Sequence, residues 1–143
     1  MAFRDPHSRR TIIFSAAAAA LLGVYLAVQF MISPRSIGAR EAYQLLQKDT
    51  TVVVLDVRTE GEFRSRTGRL DRALLIPVES LDGRMEELSR YRGNTILVYC
   101  RSGRRSRNAV SLLARRGHTA VNLEGGILEW NSLGLPVKME GER

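Results

Sequence analysis

The chain has one cysteine, two histidines and four prolines in 143 residues. A lone cysteine forms no intrachain disulfide, which excludes a disulfide-stapled scaffold. His7 and His118 are far apart, and no metal-ligand spacing accompanies them or Cys100; no metal and no other cofactor is expected. Aromatic residues are scarce at 6%. The arginines gather in one loop and beside an N-terminal apolar run, without interleaved stacking rings, which argues against a nucleic-acid-binding surface. Internal repeats are absent, and the only low-complexity stretch is an alanine run, Ala16–Ala20. Acidic residues are the minority, 15 against 22 Lys and Arg, for a net charge of +7. That balance suits an anionic partner or a membrane surface.

Charge is missing altogether from Thr11 to Ile32, "TIIFSAAAAALLGVYLAVQFMI". A helix needs roughly 20 predominantly apolar residues to span a bilayer. The end of the run, "VQFMISPRS", has no Ala-x-Ala cleavage site, so a retained transmembrane helix over 11–32 is expected. A basic flank over 1–10 precedes it and a linker over 33–36 follows, with Pro34 ending the helix. Arg4, Arg9 and Arg10 lie closer together than Arg35, Arg40 and Lys48 on the other side. The positive-inside rule then favours a single-pass protein with its domain on the external side.

Beyond the linker, apolar content of 44% over the whole chain allows an ordinary core. "IGAREAYQLLQKD" puts Ala42, Leu45 and Leu46 on one helical face. "TVVVLDV" (Thr51–Val57) and "TILVYC" (Thr95–Cys100) are β-branched, apolar runs without alternation, as in strands buried on both faces. "ALLIPV" (Ala73–Val78) and "TAVNL" (Thr119–Leu123) read as further strands, and "SLDGRMEELSRY" (Ser80–Tyr91) as a short helix. "RRSRNAVSLLARRG" reads as a helix with Ala109, Val110, Leu113 and Ala114 inward and Gly117 as its C-cap. "ILEWNSLG" makes a last helix. Alternating strands and helices of this kind give an α/β fold, an open parallel sheet flanked by helices. Ligand sites in such sheets lie beyond the carboxyl ends of the strands. Those ends carry Asp56 with Arg58, Cys100 with its arginines, and Glu124 with Gly125 and Gly126.

Cys100 therefore stands where a strand ends and "RSGRR" leads into a helix. Gly103 lets successive N–H groups curl towards one point, and the helix N-terminus adds its dipole. Cationic neighbours and a helix start lower a thiol pKa from about 8.5 to ~3.5–7.5. Cys100 is then a thiolate nucleophile, and Arg101, Arg104 and Arg105 attract an anionic substrate. A cysteine phosphatase or arsenate reductase is the competing chemistry. The phosphatase arrangement places its phosphate-binding Arg six positions after the cysteine; here that position is Ser106, and Arg105 comes one early. The loop is too short for a phosphate and better suited to a sulfane sulfur.

Three motifs carry a resemblance. "LDVRTEGEF" resembles an Asp-Val-Arg opening with an acidic–aromatic pair, Glu62–Phe63. "YCRSGRRS" resembles a Cys-x-x-Gly active-site loop. "LEGGILEWNSLGLPV" resembles a closing Gly-Gly…Trp…Gly-x-Pro-Val, here Gly125, Gly126, Trp130, Gly134, Pro136 and Val137. In this order they resemble a single-domain rhodanese-like sulfurtransferase over about residues 37–138, with a tail over 139–143. One segment departs: where the family reads Gly-His-Ile-Pro-Gly-Ala, this chain has "GRLDRA", so the histidine is Arg69 and the proline and glycine are Asp71 and Arg72.

The resemblance implies a double displacement. Cys100 takes the outer sulfur of thiosulfate or a similar donor as a persulfide and passes it to a thiol or cyanide. The loop Arg101, Ser102, Gly103, Arg104 and Arg105 binds the donor and the anionic sulfur. Asp56 and Arg58 brace the active-site edge, Trp130 packs in the core, His118 is a solvated loop residue, and Glu124 is a candidate for the pocket wall. The alternative within the same family is a non-enzymatic persulfide relay serving a membrane partner.

Overall fold

The computed structural model describes residues 18–25 and 35–141. The chain divides into two units, Met1–Ser33 and Pro34–Arg143. In the first, residues 18–25 are helical and exposed. The remainder of the expected span over 11–32, and the basic flank over 1–10, lie outside the described residues. Among the described residues no helix is long and apolar enough to cross a membrane.

The second unit is built on strands β1 (Ser36–Ile37), β2 (Val53–Asp56), β3 (Leu74–Leu75), β4 (Thr95–Tyr99) and β5 (Thr119–Leu123). Its α-helices are α1 (Ala39–Lys48), α2 (Glu60–Phe63), α3 (Arg104–Arg115) and α4 (Gly126–Ser132). All strand pairs are parallel, in the order β1-β5-β4-β2-β3. The strands lack polar alternation because both faces are covered. On one face Val54, Leu97, Tyr99, Val121 and Leu123 pack with Ala42, Ile127 and Trp130. On the other, Leu55, Val57, Ile96, Val98 and Cys100 pack with Ala109, Val110 and Leu113.

Four local expectations change. Ser36, expected in the linker, belongs to β1 and pairs with Asn122; a two-residue edge strand offers no periodicity to read. The strand expected over Ala73–Val78 contracts to Leu74–Leu75, since the chain turns at Pro77 into the 3₁₀ turn Val78–Ser80. The segment expected to be helical over Ser80–Tyr91 forms 3₁₀ turns at Val78–Ser80 and Met85–Tyr91, with Leu88 buried. Ala114 faces solvent, and the inward face of α3 is Ser106, Ala109, Val110 and Leu113. Gly117, with φ +81, ends that helix as expected.

The departing segment is tied down at several points. Arg69 and Lys138 exchange backbone hydrogen bonds of 2.9 and 2.7 Å, and the Leu70 N–H donates to the Tyr99 hydroxyl at 3.2 Å. Arg72, on the position where the family carries glycine, has φ +57, the left-handed region. A side chain there costs about 1–2 kcal/mol, and its guanidinium recovers only exposed contacts, a 3.3 Å bond to the Thr50 carbonyl and a 3.7 Å ion pair with Asp71. Arg72→Gly should therefore stabilise the domain by about 0.5–1 kcal/mol after the added freedom of the unfolded chain is counted. Urea unfolding of the two proteins checks this, with Arg72→Ala, which keeps the strain, showing no gain.

Candidate active site

Cys100 directly follows β4, at the carboxyl edge of the sheet, and is 1% exposed. Its loop turns through Gly103, at φ +86, straight into α3. A Cβ on Gly103 would lie 3.1 Å from both the Gly125 nitrogen and the Leu123 carbonyl oxygen. Position 103 thus needs glycine twice, for its angle and for the space.

The turn aims donors at the sulfur. The Gly103 N–H reaches Cys100 Sγ at 3.2 Å, and the Ser106 hydroxyl lies 3.4 Å from it. Burial works against a charged thiolate, but the Ser106 hydroxyl and the N–H groups of Ser106, Ser102 and Gly103 outweigh it. The thiol pKa is held below its ordinary value. Ser106, the position at which a phosphatase would carry arginine, is thus a buried partner of the nucleophile.

The loop carbonyls point the other way and are fixed by α4. Ile127 N–H donates to the Cys100 carbonyl at 3.0 Å, and Leu128 N–H to that of Arg101 at 3.2 Å. Gly126 lies against this junction with φ +58; a Cβ there would come within 2.5 Å of the Cys100 oxygen. The Gly-Gly pair at 125–126 thus lets the last helix meet the nucleophile loop backbone to backbone.

The loop arginines divide. Arg105 is half-buried and makes a bidentate ion pair with Glu62, at 2.8 and 2.6 Å. Hydrogen bonding to Glu62 chiefly raises the Arg105 pKa, and the charge and hydrogen bonding of Cys100 add to that. Arg105 is therefore the loop arginine whose charge is coupled to Cys100. Arg101 and Arg104 are exposed. Glu62 also accepts from the Thr59 N–H at 3.1 Å, closing the capping box of α2. Arg105 above all holds its carboxyl down at about 2. The neighbouring Phe63 lies under the Arg69 guanidinium, 5.0 Å from ring centroid to carbon.

Asp56 and Arg58 form a buried bidentate pair with contacts of 2.7–3.0 Å. Arg58 also donates to Thr67 Oγ1 and the Gly68 carbonyl, at 2.9 and 2.8 Å, and covers the Tyr99 ring at 5.3 Å. The pair ties β2 to the departing segment and reaches β4 one residue before the nucleophile. Trp130 is buried in the core with an edge-on contact to Tyr43. Glu124 is exposed and 3.7 Å from Arg107. His118, expected to be solvated, is buried, and neither ring nitrogen has a hydrogen-bond partner among the described residues. It precedes β5, at the end of the sheet opposite Cys100. Among the described residues no cluster of metal-ligating side chains occurs.

Sequence reasoning missed Ser106 as a partner of the sulfur, and Asn122 behind it. Ser106 Oγ is 2.7 Å from Asn122 Oδ1. A polar residue in the middle of the apolar run "TAVNL" was the available signal.

The profile of the Rhodanese-like domain matches residues 38–133. The chain belongs to the rhodanese-like family. The rhodanese-like domain is 37% identical over 95 residues to a sulfurtransferase of Allochromatium vinosum, covering 66% of this chain and 85% of that protein. It is similar to a rhodanese-like domain protein of Staphylococcus aureus, with TM-score 0.63 and 31% identity over 73% of this chain and 98% of that one. A rhodanese-related protein of Thermoplasma volcanium gives TM-score 0.66 and 34% identity over 74% and 99% of the two chains.

Two outcomes follow from this geometry. Gly126→Ala should destabilise the rhodanese-like domain by about 2–5 kcal/mol, from left-handed strain plus the backbone clash, measured by chemical denaturation. Glu62→Gln should cost about 1 kcal/mol at neutral pH, the scale of a favourable, partly exposed ion pair. The Glu62 carboxyl is depressed from 4.5 to about 2, so its contribution is complete above 4.5 and lost as pH falls towards 2. Stability curves of wild type and Glu62→Gln, well separated at neutral pH, should converge over that range.

Proposed function

We propose that this protein is a membrane-tethered sulfurtransferase that carries a sulfane sulfur as a persulfide on Cys100. The observation that carries this reading is the convergence of the Gly103 N–H and the Ser106 hydroxyl on a single buried sulfur. Cys100 attacks the outer sulfur of an anionic donor such as thiosulfate. The Sγ–S bond forms as the bond to sulfite breaks, and sulfite leaves with the electron pair. A thiol or cyanide then attacks the outer sulfur, and the pair of the broken bond returns to Sγ. No proton transfer is needed, because N–H donors and a cation already stabilise the anion.

The charge of Arg105 is coupled to the sulfur, while the exposed Arg101 and Arg104 draw in and orient the oxyanion end of the donor. The sulfurtransferase name of the Allochromatium vinosum relative supports the reaction class. The charge-free run Thr11–Ile32 supports attachment through one N-terminal helix, and the closer-set arginines before it favour a domain on the external side.

The protein is incubated with thiosulfate, and its intact mass is taken before and after cyanide is added. One added sulfur on Cys100, released as thiocyanate and absent in Cys100→Ser, is expected. Loading without thiocyanate would instead favour a relay awaiting its own acceptor. Failure to load would exclude thiosulfate as donor.

A further inference from the structure

Ser106 is fully buried, and its hydroxyl faces two acceptors, Cys100 Sγ at 3.4 Å and Asn122 Oδ1 at 2.7 Å. A hydroxyl has one proton to donate. At these distances it rests on Asn122 when the sulfur is uncharged, and its lone pairs then face the sulfur. When Sγ carries a negative charge, a charge-assisted bond is about twice as strong as a neutral one and draws the proton across.

Asn122 is built to hold its end of this arrangement. It is fully buried in β5, and its Nδ2 donates to Ser36 Oγ of β1 at 3.1 Å. With Nδ2 on Ser36, Oδ1 is the end of the amide that faces Ser106. Its own backbone is held in the sheet, with the N–H bonded to the Arg35 carbonyl at 2.8 Å. A buried amide and a buried hydroxyl among apolar neighbours are costly unless paired, and here they are paired with each other beneath the nucleophile.

We propose that Ser106 is a catalytic hydroxyl whose proton follows the charge on Cys100 Sγ, and that Asn122 is the positioning residue that takes the proton back. The inference rests on the sulfurtransferase reading above. Sγ is anionic as the attacking nucleophile and again as the group released to the acceptor. In between, in the persulfide, the charge is on the outer sulfur, which the loop N–H groups face. Ser106 donates to Sγ at the two charged stages and to Asn122 Oδ1 in the persulfide. The hydroxyl proton turns about the Cβ–Oγ bond without leaving the oxygen, so no covalent bond to hydrogen forms or breaks.

Asn122 consequently competes with the thiolate, and the two residues have opposite effects. The charged groups near the sulfur are Arg105 of α3 and its partner Glu62 of α2. On the β2 side Asp56 and Arg58 are paired to each other, and the β5 side presents Asn122. The four charged groups stay unchanged in the variants.

The test is the rate of Cys100 alkylation by iodoacetamide as a function of pH, on the full-length protein before any sulfur donor is added. Ser106→Ala should slow alkylation at pH 6 by about tenfold, the loss of one bond to a charged group, and Ser106→Thr should restore it. Asn122→Ala and Asn122→Val should speed it by about two- to tenfold, the range of one neutral hydrogen bond. In the Ser106→Ala background the Asn122 substitutions should do nothing. Slower or unchanged alkylation in the Asn122 variants, or an effect that persists without Ser106, would overturn the proposal.

If neither Asn122 variant folds, the wild-type protein still decides. The Asn122 side-chain carbonyl ¹³C resonance should shift with the midpoint of the alkylation profile and stay still in Cys100→Ser. A resonance that ignores the thiol would sink the idea. Since alkylation needs no sulfur donor, a protein that fails to load thiosulfate yet shows these rates would lose the donor assignment and keep the switch.

Discussion

The site depends on where the Cys100 and Arg101 carbonyls point. Each peptide group carries its C=O and N–H on opposite sides. Ile127 and Leu128 bind those carbonyls from the first turn of α4, so the loop is left presenting N–H groups to the sulfur. The contact is possible only because residue 126 has no Cβ. A helix far along the chain thus sets the electrostatics of a loop it does not otherwise join, and the closing Gly-Gly belongs to the nucleophile's machinery as much as Gly103 does.

Around that contact the domain places polar groups where they are satisfied. Arg58 lies inside the protein with donors on Asp56, Thr67 and Gly68; a guanidinium buried without them would be strongly destabilising. Its partners come from β2 and from the segment that departs from the family pattern, so the pair crosses the region where histidine, proline and glycine are replaced. Arg69, Asp71 and Arg72 are tolerated because the anchoring bonds run through backbone, between Arg69 and Lys138 and through the Leu70 N–H. The left-handed turn at Arg72 is the exception, since there the missing side chain was what the family glycine supplied.

Much of this architecture was legible in the residues. Strands β2, β4 and β5 announce themselves as apolar runs because a parallel sheet is covered on both faces. The strand–glycine–helix order around Cys100 marks a thiolate site because each part has one physical effect on the sulfur. Composition could not show which arginine is coupled to the thiol, since Arg101, Arg104 and Arg105 are alike in sequence. Only the pairing of Arg105 with Glu62 separates them. Ser106 and Asn122 were hidden for a different reason. One opens the inward face of a helix and the other sits inside a strand, and their meeting is a product of the β4–α3–β5 crossover. The strand β1 is too short to leave a pattern, and the burial of His118 depends on how the end of α3 packs.

The strand order has a kinetic side. The first strand of the sheet pairs with the last, Ser36 with Asn122, so the sheet is complete only after nearly the whole domain has been synthesised. Until then the β4 edge that receives β5, and after it the β5 edge that receives β1, expose unpaired backbone groups, a template for association with other chains. Parallel pairings of such sequence separation are slow to close. The Asn122–Ser36 bond is thus a late event in assembly, and a reactive thiol stands beside an open sheet edge while the chain waits for it.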